Sequence, residues 1–126
     1  MTAQARADWL KARQKGIGGS EVAAILGYPA FKTPVEIWME KTGRTTESDS
    51  AMRLRYGIEA EAFIAKEYEL ATGRRSMRHN AQLRDDRFPY ALGNIDRLVV
   101  PEGAKIAAYQ GQIRTDRGLE CKTVTS

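Results

Sequence analysis

The stretch GNIDRLVV, at residues 93–100, decides how the second half of this chain folds. Its apolar residues predict a β-strand at 95–100, and a Pro-Glu-Gly turn follows at 101–103. Asp96 lies inside that strand, where an acid is costly to bury unless it is paired or binds a metal. Asp96 is therefore the first candidate for a functional side chain.

A further strand is predicted at 119–124, within the sequence GLECKTV. Because side chains alternate between the two faces of a strand, Glu120 and Lys122 should lie on one face and Cys121 on the other. Cys121 is then interpreted as a small buried hydrophobe. Two opposite charges would share the other face.

These acids suit a metal ion if the two strands are neighbours. Asp96 and Glu120 would each supply an oxygen ligand, and the backbone carbonyl of Cys121 could add a third. Hard oxygen ligands favour Mg²⁺, with Mn²⁺ as the alternative, and Mg²⁺ commonly shares its shell with a substrate phosphate. Lys122 could then orient or deprotonate the attacking water, or stabilise charge on the phosphate oxygens. The site would hydrolyse a phosphodiester, although Glu and Lys also alternate on ordinary solvated strands.

The sequence upstream of Gly73 has a helical pattern. Helices are predicted near residues 5–15, 20–27, 34–43 and 51–73, with Ser20 as the N-cap of the second and a capping box at 33–36. After Gly73 the pattern is extended, over SMRHNAQLRDD, FPYALGNIDRLVV and AKIAAYQGQI, and the other of the last three strands is predicted at 106–110. Helices followed by a meander indicate an α+β fold, with N-terminal helices packed on a mostly antiparallel central sheet.

The longest predicted helix, at 51–73, carries two candidate carboxylates. Glu61 shares a stripe with Ala65 and Tyr68, which points it toward the core side. Glu59 shares a face with Phe63 but also approaches the charged flank of the helix. The pattern alone leaves both open, and either could be an ordinary surface acid.

Composition restricts the class of protein. The 126 residues fit one domain, residues 1–126, and the 42% hydrophobic and 29% charged shares are those of a soluble globular protein. No apolar run is long enough for a membrane span, and the N-terminal sequence has no secretory h-region. One cysteine and one histidine exclude an internal disulfide and a structural zinc site, which fits a reducing compartment. The net charge of +4 leans toward nucleic acid.

Four motifs occur in one order: GIGGSEVAAILG at 16–27, YGIEAEAF at 56–63, GNIDRLVV at 93–100 and GLECKT at 118–123. This set resembles the YqaJ-like viral recombinases, relatives of phage lambda exonuclease in the PD-(D/E)-x-K nuclease superfamily. The resemblance spans residues 9–123, with an isoleucine before the aspartate where the family motif has proline. It implies an α/β/α-like core of the restriction-endonuclease type. It also implies a Mg²⁺-dependent exonuclease that digests one strand of duplex DNA from its 5′ end.

The resemblance assigns roles to individual residues of this chain. It places the metal-binding aspartate at Asp96, the E-x-K pair at Glu120 and Lys122, and the helix glutamate at Glu61. The resemblance therefore selects Glu61 over Glu59.

The glycine-rich motif is assigned to the DNA terminus. The resemblance implies that Ser20 and Arg13 contact the terminal phosphate, and a glycine-rich turn that opens a helix does present N–H groups to an anion. The segment could instead be a plain helix start, and Arg13 a solvated residue. Asp86 is a secondary candidate because the family often carries an acid there, whereas the adjacent Asp85 favours a turn at a strand end.

The implied partners are double-stranded DNA ends, a single-strand annealing protein and further copies of the chain in a homotrimer. The implied location is the cytoplasm of a bacterial host, with a phage or prophage gene as the source. Because the family continues into further helices, the chain is expected to be C-terminally truncated. Two other functions stay open: a non-catalytic DNA-binding or assembly module on a nuclease scaffold, and a PD-(D/E)-x-K endonuclease.

Overall fold

The computed structural model describes residues 2–30, 32–45 and 51–123, with the backbone alone at 51–54. The described residues form helices and short strands, which confirms the α+β class. The helices are α1 (Ala3–Arg13), α2 (Gly19–Ile25), α3 (Pro34–Lys41) and α4 (Ala51–Thr72). The strands are β1 (Ile17–Gly18), β2 (Ser76–Arg78), β3 (Leu83–Arg84), β4 (Ala91–Gly93), β5 (Arg97–Val99), β6 (Ala108–Tyr109), β7 (Gln112–Ile113) and β8 (Gly118–Leu119).

Local capping explains where the helices begin and end. The predicted capping box opens α3: the Thr33 hydroxyl accepts the Glu36 N–H at 3.3 Å, and the Glu36 carboxylate accepts the Thr33 N–H at 2.6 Å. Gly43 and Gly73 follow α3 and α4 with φ of 72° and 68°. This left-handed conformation favours glycine, so the predicted helix ends are confirmed.

The prediction that Ser20 caps the second helix was wrong. Gly18 is the N-cap of α2, and Ser20 lies exposed inside the first turn. The Glu21 carboxylate accepts the Gly18 N–H at 2.8 Å, so a side chain from within the helix satisfies this backbone group. The residues that α2 buries are Glu21 and Ala24.

The chain forms two compact units. The first unit comprises Met1–Ser48 and Gln82–Gly93, and the second unit comprises Asp49–Ala81 and Asn94–Ser126. The expectation of one domain over residues 1–126 stays a prediction.

The first unit contains a three-stranded sheet with the order β1-β4-β3. The β1 strand pairs in parallel with β4, and the Ile17 N–H donates to the Tyr90 carbonyl at 2.7 Å. Gly16 allows this approach, because a Cβ there would lie 2.5 Å from the Tyr90 carbonyl oxygen and 2.6 Å from Leu92 Cγ. The sequence analysis missed β1, since a strand of two residues has no periodicity to detect.

The second unit contains an antiparallel sheet with the order β2-β5-β8 and a separate β6-β7 hairpin. Its core is the cluster of Leu98, Val100 and Ala107, against which Met77 and Ile113 pack. The central strand β5 supplies Leu98, and Val100 follows directly after that strand. The apolar run after Asp96 is thus the core of this unit.

Several strand predictions need correction. The strand predicted at 95–100 is confined to β5, and the one at 106–110 is β6 of a hairpin. The strand predicted at 119–124 ends at Leu119, and Val124 lies outside the described residues. The described strands form three small sheets rather than one central sheet, and the β1-β4 pair is parallel. Short strands separated by irregular segments explain the difference, because pattern alone does not show which strands pair.

None of the helices in the described part of the chain is long and apolar enough to cross a membrane.

Shortening the buried Leu98 side chain in the central strand β5 should destabilise the protein. Leu98 is 1% exposed, so Leu98→Ala is expected to lower the free energy of unfolding by about 3 kcal/mol through lost burial and a residual cavity. Urea denaturation followed by circular dichroism measures this change. Leu70→Ala is the matched control, because Leu70 is 68% exposed, and a change there of about 0.5 kcal/mol or less is expected. Equal losses in the two variants would contradict the assigned core.

Candidate active site

Asp96 and Glu120, here called the acid pair, lie one residue beyond the last paired residues of β5 and β8. The two strands are antiparallel with Arg97 opposite Leu119, so continuing the register by one step places Asp96 opposite Glu120. The Cys121 N–H donates to Asp96 Oδ2 at 2.8 Å. This bond ties the Asp96 carboxylate to the backbone between Glu120 and Lys122.

Glu120 and Lys122 form an ion pair with an Oε1–Nζ distance of 2.6 Å. Both side chains are exposed, Lys122 at 73% and Glu120 at 54%. The hydrogen bond to Glu120, together with the charges of Glu120 and Asp96, raises the pKa of the Lys122 ammonium above its ordinary value. Lys122 is therefore a cation at neutral pH.

Glu61 lies on the half-buried side of α4, as its stripe predicted, and Glu59 is exposed. Glu61 Oε1 lies 3.7 Å from Nε of Arg97, whose side chain is only 15% exposed. That buried Nε has no hydrogen-bond partner among the described residues. The Arg97 guanidinium and the Glu61 carboxylate attract each other, because they are opposite charges 3.7 Å apart in a partly buried environment.

Cys121 lies within electrostatic range of the three predicted acids. Burial raises the pKa of its thiol, and the charges of Asp96, Glu61 and Glu120 raise it further, while Arg97 opposes them. The thiol is half-buried and free, which agrees with the interpretation of Cys121 as a small hydrophobe.

The donor chemistry of this site fits a hard divalent cation. Asp96 keeps one carboxylate oxygen that no backbone N–H in the described structure occupies, and Glu120 lies across from it. Within the described residues, no group of three or more His, Cys, Asp or Glu side chains is arranged to hold a metal ion. Mg²⁺ is usually bound by one or two carboxylates with waters and substrate phosphate, so a pair of carboxylates suits it.

The first unit contains a buried carboxylate of its own. Glu21 is 4% exposed, and its Oε1 lies 2.9 Å from both Arg13 Nη2 and Lys41 Nζ. Burial alone would raise the pKa of this carboxyl, but hydrogen bonds from Gly18, Lys41 and Arg13 outweigh burial and hold the pKa below its ordinary value. Lys41 also donates to the Arg13 carbonyl at 2.7 Å. Two cations and one anion thus form a small network around α2.

This network positions Arg13, which the resemblance assigned to the terminal phosphate. The Arg13 guanidinium stacks on Trp9, with 4.8 Å between its central carbon and the ring centroid. Arg13 is half-buried rather than a solvated helix residue. Ser20, its predicted companion, is exposed on the first turn of α2.

Asp86 is exposed, and it belongs to the first unit, whereas Asp96 belongs to the second. Its neighbour Asp85 accepts the backbone N–H groups of Arg87 and Phe88 at 2.8 and 3.0 Å. The predicted strand-end turn is confirmed at Asp85.

Sequence reasoning missed Glu21, Lys41 and Arg97. Glu21 occupies the third position of α2, where a carboxylate often accepts a backbone N–H from the cap, so this signal was present. Arg97 was visible as a cation inside an apolar strand. Lys41 had no signal beyond a base in a last helical turn, because its contact with Glu21 joins residues far apart in sequence.

Comparison with known proteins gives one family and one curated relative. The family model for the YqaJ-like viral recombinase domain matches residues 8–126. The chain is 38% identical over 122 residues to the uncharacterized protein YqaJ of Bacillus subtilis (strain 168). The match covers 96% of this chain but 34% of that relative, so the chain spans about a third of its length. No solved structure matches significantly.

Neutralising Glu21 should destabilise the first unit. Glu21→Gln leaves Arg13 and Lys41 close together without their anion, and removing one partner of a buried ion pair costs about 3 kcal/mol or more. Urea denaturation at pH 7 measures the loss. Glu67→Gln is the control, because Glu67 is exposed on α4.

Glu21→Gln should also change how the free energy of unfolding depends on pH. The folded Glu21 carboxyl has a lowered pKa, so its contribution to stability is present above the unfolded pKa of about 4.3 and is lost as the pH falls through the folded pKa. The stability difference between wild type and Glu21→Gln should therefore shrink as the pH falls below about 4.3. A difference that is constant from pH 7 to pH 3 would contradict this linkage.

Removing the charge of Glu120 should lower the pKa of Lys122. The hydrogen bond and charge of Glu120 are the main causes that raise this pKa, so Glu120→Gln should move it down toward the ordinary lysine value. Titration of the Lys122 side-chain carbon by NMR measures the shift. The wild-type protein, titrated in parallel, serves as the reference.

Proposed function

This chain belongs to the YqaJ-like viral recombinase family, and from that premise we propose that it is a metal-dependent DNA exonuclease of phage recombination. It hydrolyses phosphodiester bonds of one strand of duplex DNA, from the 5′ end. The supporting observation is the bond between Asp96 Oδ2 and the Cys121 N–H, which holds an aspartate beside an E-x-K pair. An acid pair and a cation at the end of one strand pair suit phosphodiester hydrolysis.

The metal of this proposal is Mg²⁺, which Mn²⁺ can replace. Asp96 and Glu120 would hold it, with Glu61 and the Cys121 carbonyl as further oxygen donors. When bound, such an ion polarises the phosphate and lowers the pKa of bound water.

The role of Lys122 follows from its charge. Lys122 keeps its proton at neutral pH, as an ordinary lysine does, and Glu120 raises its pKa further. We assign it to stabilising negative charge on the phosphate oxygens, rather than to removing a proton from water. The ion pair with Glu120 also holds its ammonium near the acid pair.

The DNA terminus is assigned to Arg13 and Ser20 of the first unit. A guanidinium suits a terminal phosphate because its donors match the phosphate oxygens in a bidentate geometry. Glu21 and Trp9 orient this guanidinium, and the exposed Ser20 hydroxyl supplies a neutral donor. Asp86 stays a secondary candidate.

A second candidate function is a DNA-binding module without catalysis. The exposed Lys122 favours it, since a lysine that turns into solvent is not committed to a reacting phosphate. The two functions differ in one observable, the cleavage of DNA.

Digestion of linear duplex DNA tests the proposal. With a 5′-phosphorylated duplex labelled at either end, we expect loss of the 5′ strand in Mg²⁺ and none in EDTA. Lys122→Ala should lower the rate by about 100-fold or more, because it removes a charge that stabilises the transition state. Asp96→Asn should abolish cleavage.

Lys66→Ala is the matched control, because it removes an exposed lysine from α4 in the same unit. Its rate should equal that of wild type. DNA binding without cleavage would favour the binding module, and internal nicking of circular DNA would favour an endonuclease. Cleavage that does not depend on Asp96 would contradict the assigned site.

A further inference from the structure

A cleft of about 550 Å³ lies in the second unit, at the end of β5 away from Asp96. Val99 and Val100 line it, whereas Asp96 precedes the strand. The antiparallel β8 brings Arg117 to the same end, where the Val99 N–H donates to the Arg117 carbonyl at 3.0 Å. The cleft and the acid pair therefore lie at opposite ends of one strand pair.

The cleft is rich in guanidinium groups. Arg74, Arg75 and Arg117 line it, together with the acids Glu102 and Asp116. Asp116 neutralises little of this charge, because its carboxylate lies 4.0 Å from Arg117 Nε and is almost fully exposed. We call this the arginine cleft.

The arginines have donors to offer an anion. Arg75 donates to the Lys105 carbonyl at 2.5 Å, and this bond uses one of the five donors of a guanidinium. The side chain of Arg74 makes no hydrogen bond or ion pair within the described part of the chain. Guanidinium groups match phosphate oxygens in a bidentate geometry, so the cleft suits a phosphate better than a neutral ligand.

The rim of the cleft leaves room for a polymer backbone. Gly73 and Gly103 line it with φ of 68° and 77°, and a Cβ at either position would meet no atom within 4 Å. No side chain at these two positions blocks an approaching strand.

The separation between the two features can be expressed as a length of DNA. The four residue steps from Asp96 to Val100 span about 13 Å at ~3.3 Å per residue. One strand of duplex DNA advances ~3.4 Å per nucleotide, so this separation corresponds to about four nucleotides.

We propose that the arginine cleft binds backbone phosphates of the duplex about four nucleotides from the bond at the acid pair. This inference rests on the proposed function, because it takes DNA as the substrate. Arg74 and Arg117 contact these phosphates, while the Arg75 guanidinium is held by its bond to the Lys105 carbonyl.

Salt-dependent binding tests the arginine cleft. Anisotropy of a labelled 20-base-pair duplex is measured from 50 to 200 mM KCl in EDTA, where metal-dependent cleavage does not interfere. The double variant Arg74→Ala/Arg117→Ala should bind about tenfold more weakly and should lose about 0.9 from the salt slope for each phosphate contact removed. The control is Arg55→Ala/Arg114→Ala, which removes two exposed arginines of the same unit outside the cleft. Circular dichroism confirms that both variants fold.

The predicted spacing is tested with neutral methylphosphonate linkages placed one at a time in either strand. A neutral linkage about four nucleotides from the end should weaken binding of wild type but not of the double variant. An unchanged salt slope in the double variant, or equal losses in the double variant and the control, would overturn the inference. So would failure of wild type to bind duplex.

The two proposals fail in different ways. Arginine-dependent binding without cleavage in Mg²⁺ overturns the nuclease function and supports the cleft. Cleavage with binding that does not depend on Arg74 and Arg117 overturns the cleft alone.

Discussion

The candidate site depends on one hydrogen bond, from the Cys121 N–H to the Asp96 carboxylate at 2.8 Å. The ladder between β5 and β8 is only two residue pairs long. Strand pairing alone therefore does little to fix the position of the segment after Leu119. A carboxylate that accepts a backbone N–H extends the pairing by a charge-assisted bond, which is stronger than a neutral one. Glu120 and Lys122 are held beside Asp96 because the residue between them is bound to it.

In both units a carboxylate lies close to a positively charged side chain. In the first unit Glu21 is buried between Arg13 and Lys41, and in the second unit Glu61 lies near Arg97. The two arrangements differ in hydrogen bonding: Glu21 accepts several hydrogen bonds, whereas the Arg97 Nε has no hydrogen-bond partner among the described residues. A fully bonded network favours a fixed structure, and an unpaired buried donor is a group that a ligand or water can bind.

Parts of the fold followed from local chemistry. The capping box at Thr33 and the glycines after α3 and α4 were predictable, because capping and left-handed turns depend on residues within one helical turn. The orientation of Glu61 followed from helical periodicity. Ser20 was misassigned because Glu21 supplies the carboxylate that bonds the Gly18 N–H. The central sheet was misassigned because strands of two or three residues carry no information about their partners.

By itself, the sequence determined the residue types of the site, the α+β class and the order of motifs that marks the family. These properties follow from composition and local pattern, which need no knowledge of distant contacts. Tertiary structure alone decided that Asp96 bonds the backbone of Cys121, that Lys41 reaches Glu21 across 20 residues of sequence, and that three arginines border one cleft. The physical reason is that these contacts join segments far apart in the chain, and burial of a shared core brings such segments together.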